Sequence, residues 1–158
     1  MVSGEGDRLA KELAPDISDA GFRQLAEFRR HIRQFLHFSE EAARAEGIEP
    51  QQHQLLLTIK GLPVGTSPTI TALSQQLCLR HNSTVELVDR LVVQGALQRH
   101  HAERDHREVL VELTPLGEAL LDRLSILHWK ELRIFGPALS DSLQAVIRHS
   151  RWSHRRLQ

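Results

Sequence analysis

Apolar residues recur at intervals of three and four near the start of the chain, at Phe22, Leu25, Phe28, Ile32, Phe35 and Leu36. That spacing lays one apolar stripe along a helix and predicts a long first helix over Asp19 to Ala45. Gly47 is placed to end it, and Pro50 suits the first turn of a second helix that runs through Leu55, Leu56 and Ile59 to Gly61. The stretch from Leu62 to Pro68, with two prolines and a glycine, reads as a loop. Thr71 is the expected N-cap of a short helix with Ala72, Leu73 and Leu77 inward. After a break near Leu79, Thr84, Leu87, Val88 and Leu91 repeat at helical spacing up to Gly95, a natural C′ residue. The period then changes. Leu97 to His100, a charged turn from His101 to Glu108, and Val109, Val111 and Leu113 alternating with Leu110 and Glu112 read as a β-hairpin. Thr114-Pro115 supplies an N-cap and a proline at N1 for a fifth helix, with Leu116, Leu120, Leu124, Leu127 and Leu132 roughly on one side. Gly136-Pro137 is expected to break it. A sixth helix then follows Ser140 or Asp141 through Leu143, Val146 and Ile147 into an Arg/His-rich tail.

Two short helices followed at once by a hairpin make a winged helix-turn-helix, so the fold class is mainly α with a small β-hairpin wing, flanked by long helices. If Thr84, Leu87, Val88 and Leu91 face the core, the residues at the start of the second short helix face outward. Arg80, His81, Asn82, Ser83, Val85 and Glu86, with Arg90 one turn on, are then the candidates to touch DNA. Asn82 can read adenine bidentately, Arg80 can bond a guanine or a phosphate, and Val85 can meet a thymine methyl. On the hairpin turn, Arg104, Asp105 and Arg107 are the wing candidates.

Composition narrows the field. With 158 residues there is room for one compact domain or a small domain with helical arms, and 4% aromatic content leaves Leu, Ile, Val and Ala to supply the core. Twenty basic residues balance twenty acidic ones, so a nucleic-acid site must be local. The lone Cys78 allows no intrachain disulfide and no cysteine-based zinc site; between Leu77 and Leu79 it reads as a buried structural thiol. The chain shows no apolar h-region and no run of apolar residues long enough to span a bilayer, so neither secretion nor a membrane is expected, and a cytoplasmic, nucleoid-associated location fits. Ten histidines raise metal chemistry, but His31/His37 and His149/His154 miss the spacing of helical ligand pairs. They read as surface residues, no metal site or cofactor is assigned, and a cross-helix arrangement of His37 or His53 with His128 stays open. Without a nucleophile elbow, a phosphate loop or paired carboxylates, no catalytic residue is assigned and the chain does not read as an enzyme.

The run Leu73 to Leu79, then His81 to Gly95 with Val88-Asp89-Arg90-Leu91, then Arg99, Asp105-x-Arg107 and Leu113-Thr114-x-x-Gly117, resembles the MarR family of bacterial transcriptional regulators. The resemblance extends by element order from about Phe22 to the end. It implies an obligate homodimer whose terminal helices intertwine, one winged helix per subunit on a pseudo-palindromic double-stranded operator, and a small-molecule pocket beside the dimer helices. By motif, Arg107 is the wing-tip arginine of the minor groove and Asp105 the carboxylate that holds the wing through an ion pair. Arg80 stands where many relatives have a serine, so capping is expected from Asn82 or Ser83. The implied organisation is a flexible segment over 1–18, dimerisation helices over 19–48 and 115–158, and a DNA-binding lobe over 50–113. The implied function is that of a repressor released by a small aromatic, phenolic or lipophilic effector, with Phe28, Phe35, Leu36, His37, Phe38, His53 and Leu57 as candidate walls. A metal- or pH-responsive regulator using the histidines, and a winged-helix protein-interaction module, are the competing readings.

Overall fold

The computed structural model describes residues 18–102 and 109–155. Its elements are α1 (Asp19–Ala45), α2 (Pro50–Lys60), α3 (Ile70–Leu77), α4 (His81–Val93), β1 (Leu97–His101), β2 (Val109–Leu113) and α5 (Pro115–Arg155). The flexible segment expected over 1–18 lies, apart from Ser18, outside the described residues. No described helix is long and apolar enough to cross a membrane. The chain divides into two compact units, one formed by His37–Lys130 and the other by the described residues before and after it.

The core of the His37–Lys130 unit is aliphatic. Leu55 and Leu56 of α2, Leu73 of α3, Val88 and Leu91 of α4, Val111 of β2 and Leu124 of α5 are fully buried, each worth roughly 1.5–3 kcal/mol of hydrophobic stabilisation. The strands pair antiparallel in the register Leu97↔Leu113, Arg99↔Val111 and His101↔Val109, which turns Leu97 and Val111 inward. Polar fasteners close the helix ends. Gln52, buried in α2, accepts the Glu49 N–H at 2.8 Å and donates to Gln94 Oε1 at 3.2 Å. Lys60 Nζ meets both Glu118 oxygens at 2.7 and 2.8 Å, and Arg123 Nε bonds Glu46 at 2.8 Å.

Three expectations from the sequence need correction here. The N-cap of α3 is Thr69, not Thr71: the end of the preceding loop is drawn against the wing, where the Val111 N–H bonds the Pro68 carbonyl at 3.0 Å and Thr69 bridges to Leu110. The extended backbone this imposes on Thr69 puts its side chain where it accepts the Ala72 N–H at 3.2 Å. Cys78 is exposed, not buried. It ends α3 in the left-handed region at φ 53°, ψ 37°, a turn position at the helix surface that costs a residue with a Cβ more than it costs glycine. The leucines expected along α5 are also unevenly placed: Leu120 and Leu124 are buried with Leu121, while Leu116 and Leu127 are exposed.

In the other unit the expected break at Gly136-Pro137 does not occur, and α5 runs through it as one helix of 41 residues. The clash that usually bars helical geometry before a proline involves the Cβ of the preceding residue, and Gly136 has none. Proline then removes one helical hydrogen bond without ending the element. His31 of α1 is buried with its ring edge-on to Phe135 of α5, centroids 5.3 Å apart, which corrects its expected place on the surface. Phe22 and Ile134 leave apolar surface exposed.

Candidate nucleic-acid interface

Recognition of a duplex by a helix needs one face locked and the other free. In α4, Thr84, Leu87, Val88 and Leu91 are buried, while His81, Asn82, Ser83, Glu86 and Arg90 are exposed, as is Arg80 just before the helix; Val85 is half-buried. The expected outward set therefore lies together at one end of α4, with Arg90 a turn further along. The expected capping does not hold: the N-cap is Arg80, and no side chain makes a cap hydrogen bond. Thr84 Oγ1 turns back to the Arg80 carbonyl at 3.2 Å. The first-turn N–H groups, at the positive end of the helix dipole, are left without a side-chain acceptor of the kind Asn or Ser would provide.

The wing is tied to this helix by a contact that sequence spacing does not disclose. Arg99 Nη1 of β1 meets the Asp89 carboxylate of α4 at 2.6 Å. Residues ten apart on a helix and a strand have no common periodicity, so only the turn at Gly95, with φ +77°, brings them face to face. The pair consumes the one acidic group on the late outer face of α4 and leaves Arg80 and Arg90 as its cations. On the hairpin, His100 Nε2 lies 3.5 Å from Glu112. The wing candidates Arg104, Asp105 and Arg107 lie outside the described residues.

The residues expected as effector walls fall in both units. Phe28 and Phe35 are half-buried and Leu36 is exposed in one unit; in the other, His37 and Leu57 are exposed. Phe38 and His53 share a neighbour, His128, with ring centroids 5.7 and 4.8 Å away. His53 is thus a buried residue rather than a surface one, and burial with the nearby His128 pushes its pKa down to about 4. A cavity of about 250 Å³ lined by Glu46, Ile48, Gln94, Leu120 and Arg123, and another of about 330 Å³ beside Lys60, Pro68 and Glu118, include none of the seven. Among the described residues no three His, Cys, Asp or Glu side chains are placed to hold a metal ion.

No family sequence model and no curated protein matches the chain by sequence. Solved structures do match it. A MarR family transcription regulator is similar over 97% of this chain and 91% of its own, with a TM-score of 0.64 at 18% identity. The chain has the MarR fold. A mutant of Escherichia coli MarR complexed with operator DNA aligns over 82% of this chain and 90% of its own, with a TM-score of 0.59 and 20% identity. Bordetella bronchiseptica BpsR, described with regulation of its DNA binding by 6-hydroxynicotinic acid, aligns over 78% and 94%, with a TM-score of 0.58 and 17% identity. The MarR fold accounts for the whole described element order, and the expected mainly α class with a hairpin wing is borne out.

Proposed function

We propose that the chain is a sequence-specific, DNA-binding transcriptional regulator of the MarR family, a repressor that acts as a homodimer on a pseudo-palindromic operator. The observation that supports this best is α4: a helix anchored by four buried side chains, with a polar, uncapped first turn exposed and its far end pinned to a wing strand by Asp89 and Arg99. Polar side chains at an exposed helix start suit base edges in a major groove, and open N–H groups suit a phosphate. The two long terminal helices are read as the dimerisation elements and 50–113 as the DNA-binding lobe. Exposed Phe22, Leu25 and Ile134 on the long terminal helices favour a dimer, since large apolar side chains are costly to leave in water. An aromatic or lipophilic acid is the favoured effector class, by analogy with the 6-hydroxynicotinic acid named for BpsR; Phe38 and His53 are the first of the wall residues to substitute.

The test is a selection from random duplexes with the full chain, with mass measured in solution. The expected result is a two-fold-symmetric site with half-sites about 34 Å apart, bound by twice the chain mass and weakened steeply by salt. Arg107→Ala should weaken all duplexes and reduce the salt slope by about one. No enrichment over the starting pool, or enrichment by a species of single-chain mass, would overturn the reading.

A further inference from the structure

The His37–Lys130 unit stacks a buried imidazole on a half-buried one. His53 of α2 is 2% exposed, lies on the His128 ring of α5 with centroids 4.8 Å apart and planes tilted by 31°, and has no hydrogen-bond partner for its Nδ1. His128 is held at both nitrogens. Its Nδ1 lies 2.6 Å from the Leu124 carbonyl, which can only accept, so that nitrogen carries the hydrogen. Its Nε2 lies 2.7 Å from Ser39 Oγ of α1. The serine hydroxyl can donate to a bare Nε2 or accept from a protonated one, so a proton added to His128 leaves both contacts in place. His53 has no such provision. A charge on it would be buried beside the other ring, with an Nδ1–H that finds no acceptor.

We propose that the His53–His128 stack, clasped by Ser39, is an acid-sensitive latch that joins α1, α2 and α5 while its two rings share at most one positive charge, and that opens when both are charged, loosening the unit that carries α4. Among the described residues of the unit, the acidic side chains of the three helices are paired elsewhere or exposed. On α1, Glu40 and Glu41 are taken up by Arg44 and Glu46 by Arg123, and His37 is exposed; Lys60 of α2 is paired with Glu118; on α5, Asp122 and Lys130 are exposed. Burial and the neighbouring His128 are the causes that lower His53 from 6.5 to about 4. Folding then disfavours its protonation by a factor of about 300. The stack therefore contributes fully to stability above about pH 6.5, and that contribution drains away as pH falls towards 4.

The latch is read from stability alone; only its effect on an operator rests on the proposed DNA-binding function. An opening latch weakens duplex binding as pH falls. The experiment compares the full chain with His53→Leu by urea denaturation from pH 8 to pH 4 and follows the His53 ring of the parent by NMR. The expected result is a parent that loses stability relative to the variant on acidification, with its folding constant falling by up to about 300-fold more, and a His53 ring that stays neutral until near pH 4. A difference between parent and variant that does not change with pH, or a His53 ring that titrates near 6.5, would overturn the latch. If His53→Leu fails to fold, the ring titration decides. With the selected operator, the parent should release DNA on acidification more than the variant does. If neither chain binds any duplex, the DNA-binding reading fails while the stability comparison still judges the latch.

Discussion

Replacing Gly117 by alanine would test the joint at which α4, the wing and α5 meet. Gly117 lies in the first turn of α5, and a Cβ built on it would overlap the Ala96 carbonyl oxygen and come 3.1 Å from its carbon. That carbonyl cannot swing away cheaply, because it accepts the Thr114 N–H at 3.1 Å while the Ala96 N–H bonds Leu91 O at 2.9 Å. Thr114 is itself held twice: its hydroxyl donates to Gly95 O at 2.6 Å and accepts the Gly117 N–H at 3.2 Å. Alanine offers about 1 kcal/mol of helix propensity over glycine. Against this stand about 1–3 kcal/mol for overpacking against backbone and about 1 kcal/mol for a disturbed cap if α5 shifts outward. The net is a loss of about 2 kcal/mol, a factor of about 30 in the folding constant. Urea denaturation at pH 7 should show a lower midpoint with an unchanged slope. A Gly117→Ala chain as stable as the parent, or more so, would refute the reasoning.

Two further substitutions probe the interface and the long helix. Asp89→Asn should cost less than about 1 kcal/mol of stability, since both partners of its ion pair with Arg99 are partly exposed, yet it should free a cation and steepen the salt dependence of duplex binding by up to about one unit while blurring discrimination between sites; an unchanged slope and specificity in a filter-binding titration would count against a positioning role. Pro137→Ala restores a helical N–H in the middle of α5 and should raise the melting temperature and the helical circular dichroism, with a gain of up to about 3 kcal/mol; a lower melting temperature would mean that the proline is needed for packing.

Most of the fold was legible because it rests on local periodicity. The three-and-four spacing of α1, the Thr114-Pro115 start of α5 and the change to period two at Leu97 each state a structure within a window of a dozen residues. The misses arose where a distant contact decided a local choice. Thr69 rather than Thr71 caps α3 because Pro68 and Val111, far apart in sequence, share a hydrogen bond. Gly136-Pro137 reads as a stop by its second residue, but the missing Cβ of its first removes the main obstacle to continuing. Cys78 reads as buried from its leucine neighbours, whereas the left-handed turn they flank is an exposed position.

The candidate site divides along the same line. The outward set on α4 followed from knowing which four residues of one helix face in, a question of period alone. Neither Asp89 with Arg99 nor His53 with His128 could be found that way, because each joins different elements and their angle of approach is set by the tertiary fold. Of the two, the ion pair has a sequence signal in hindsight, a carboxylate on the helix flank facing a cation one turn into the following strand. For the stacked imidazoles the sequence offers only the possibility of a cross-helix pairing of His53 with His128: His53 follows Gln52 in α2 and His128 precedes Trp129 in α5, and neither neighbourhood marks the burial of His53. Burial of the His53 ring beside His128, without an acceptor for its Nδ1, works against stability once His53 is charged. A leucine at position 53 would avoid that cost, so the histidine makes the His37–Lys130 unit responsive to acid at the junction of α1, α2 and α5, of which α2 packs against α4.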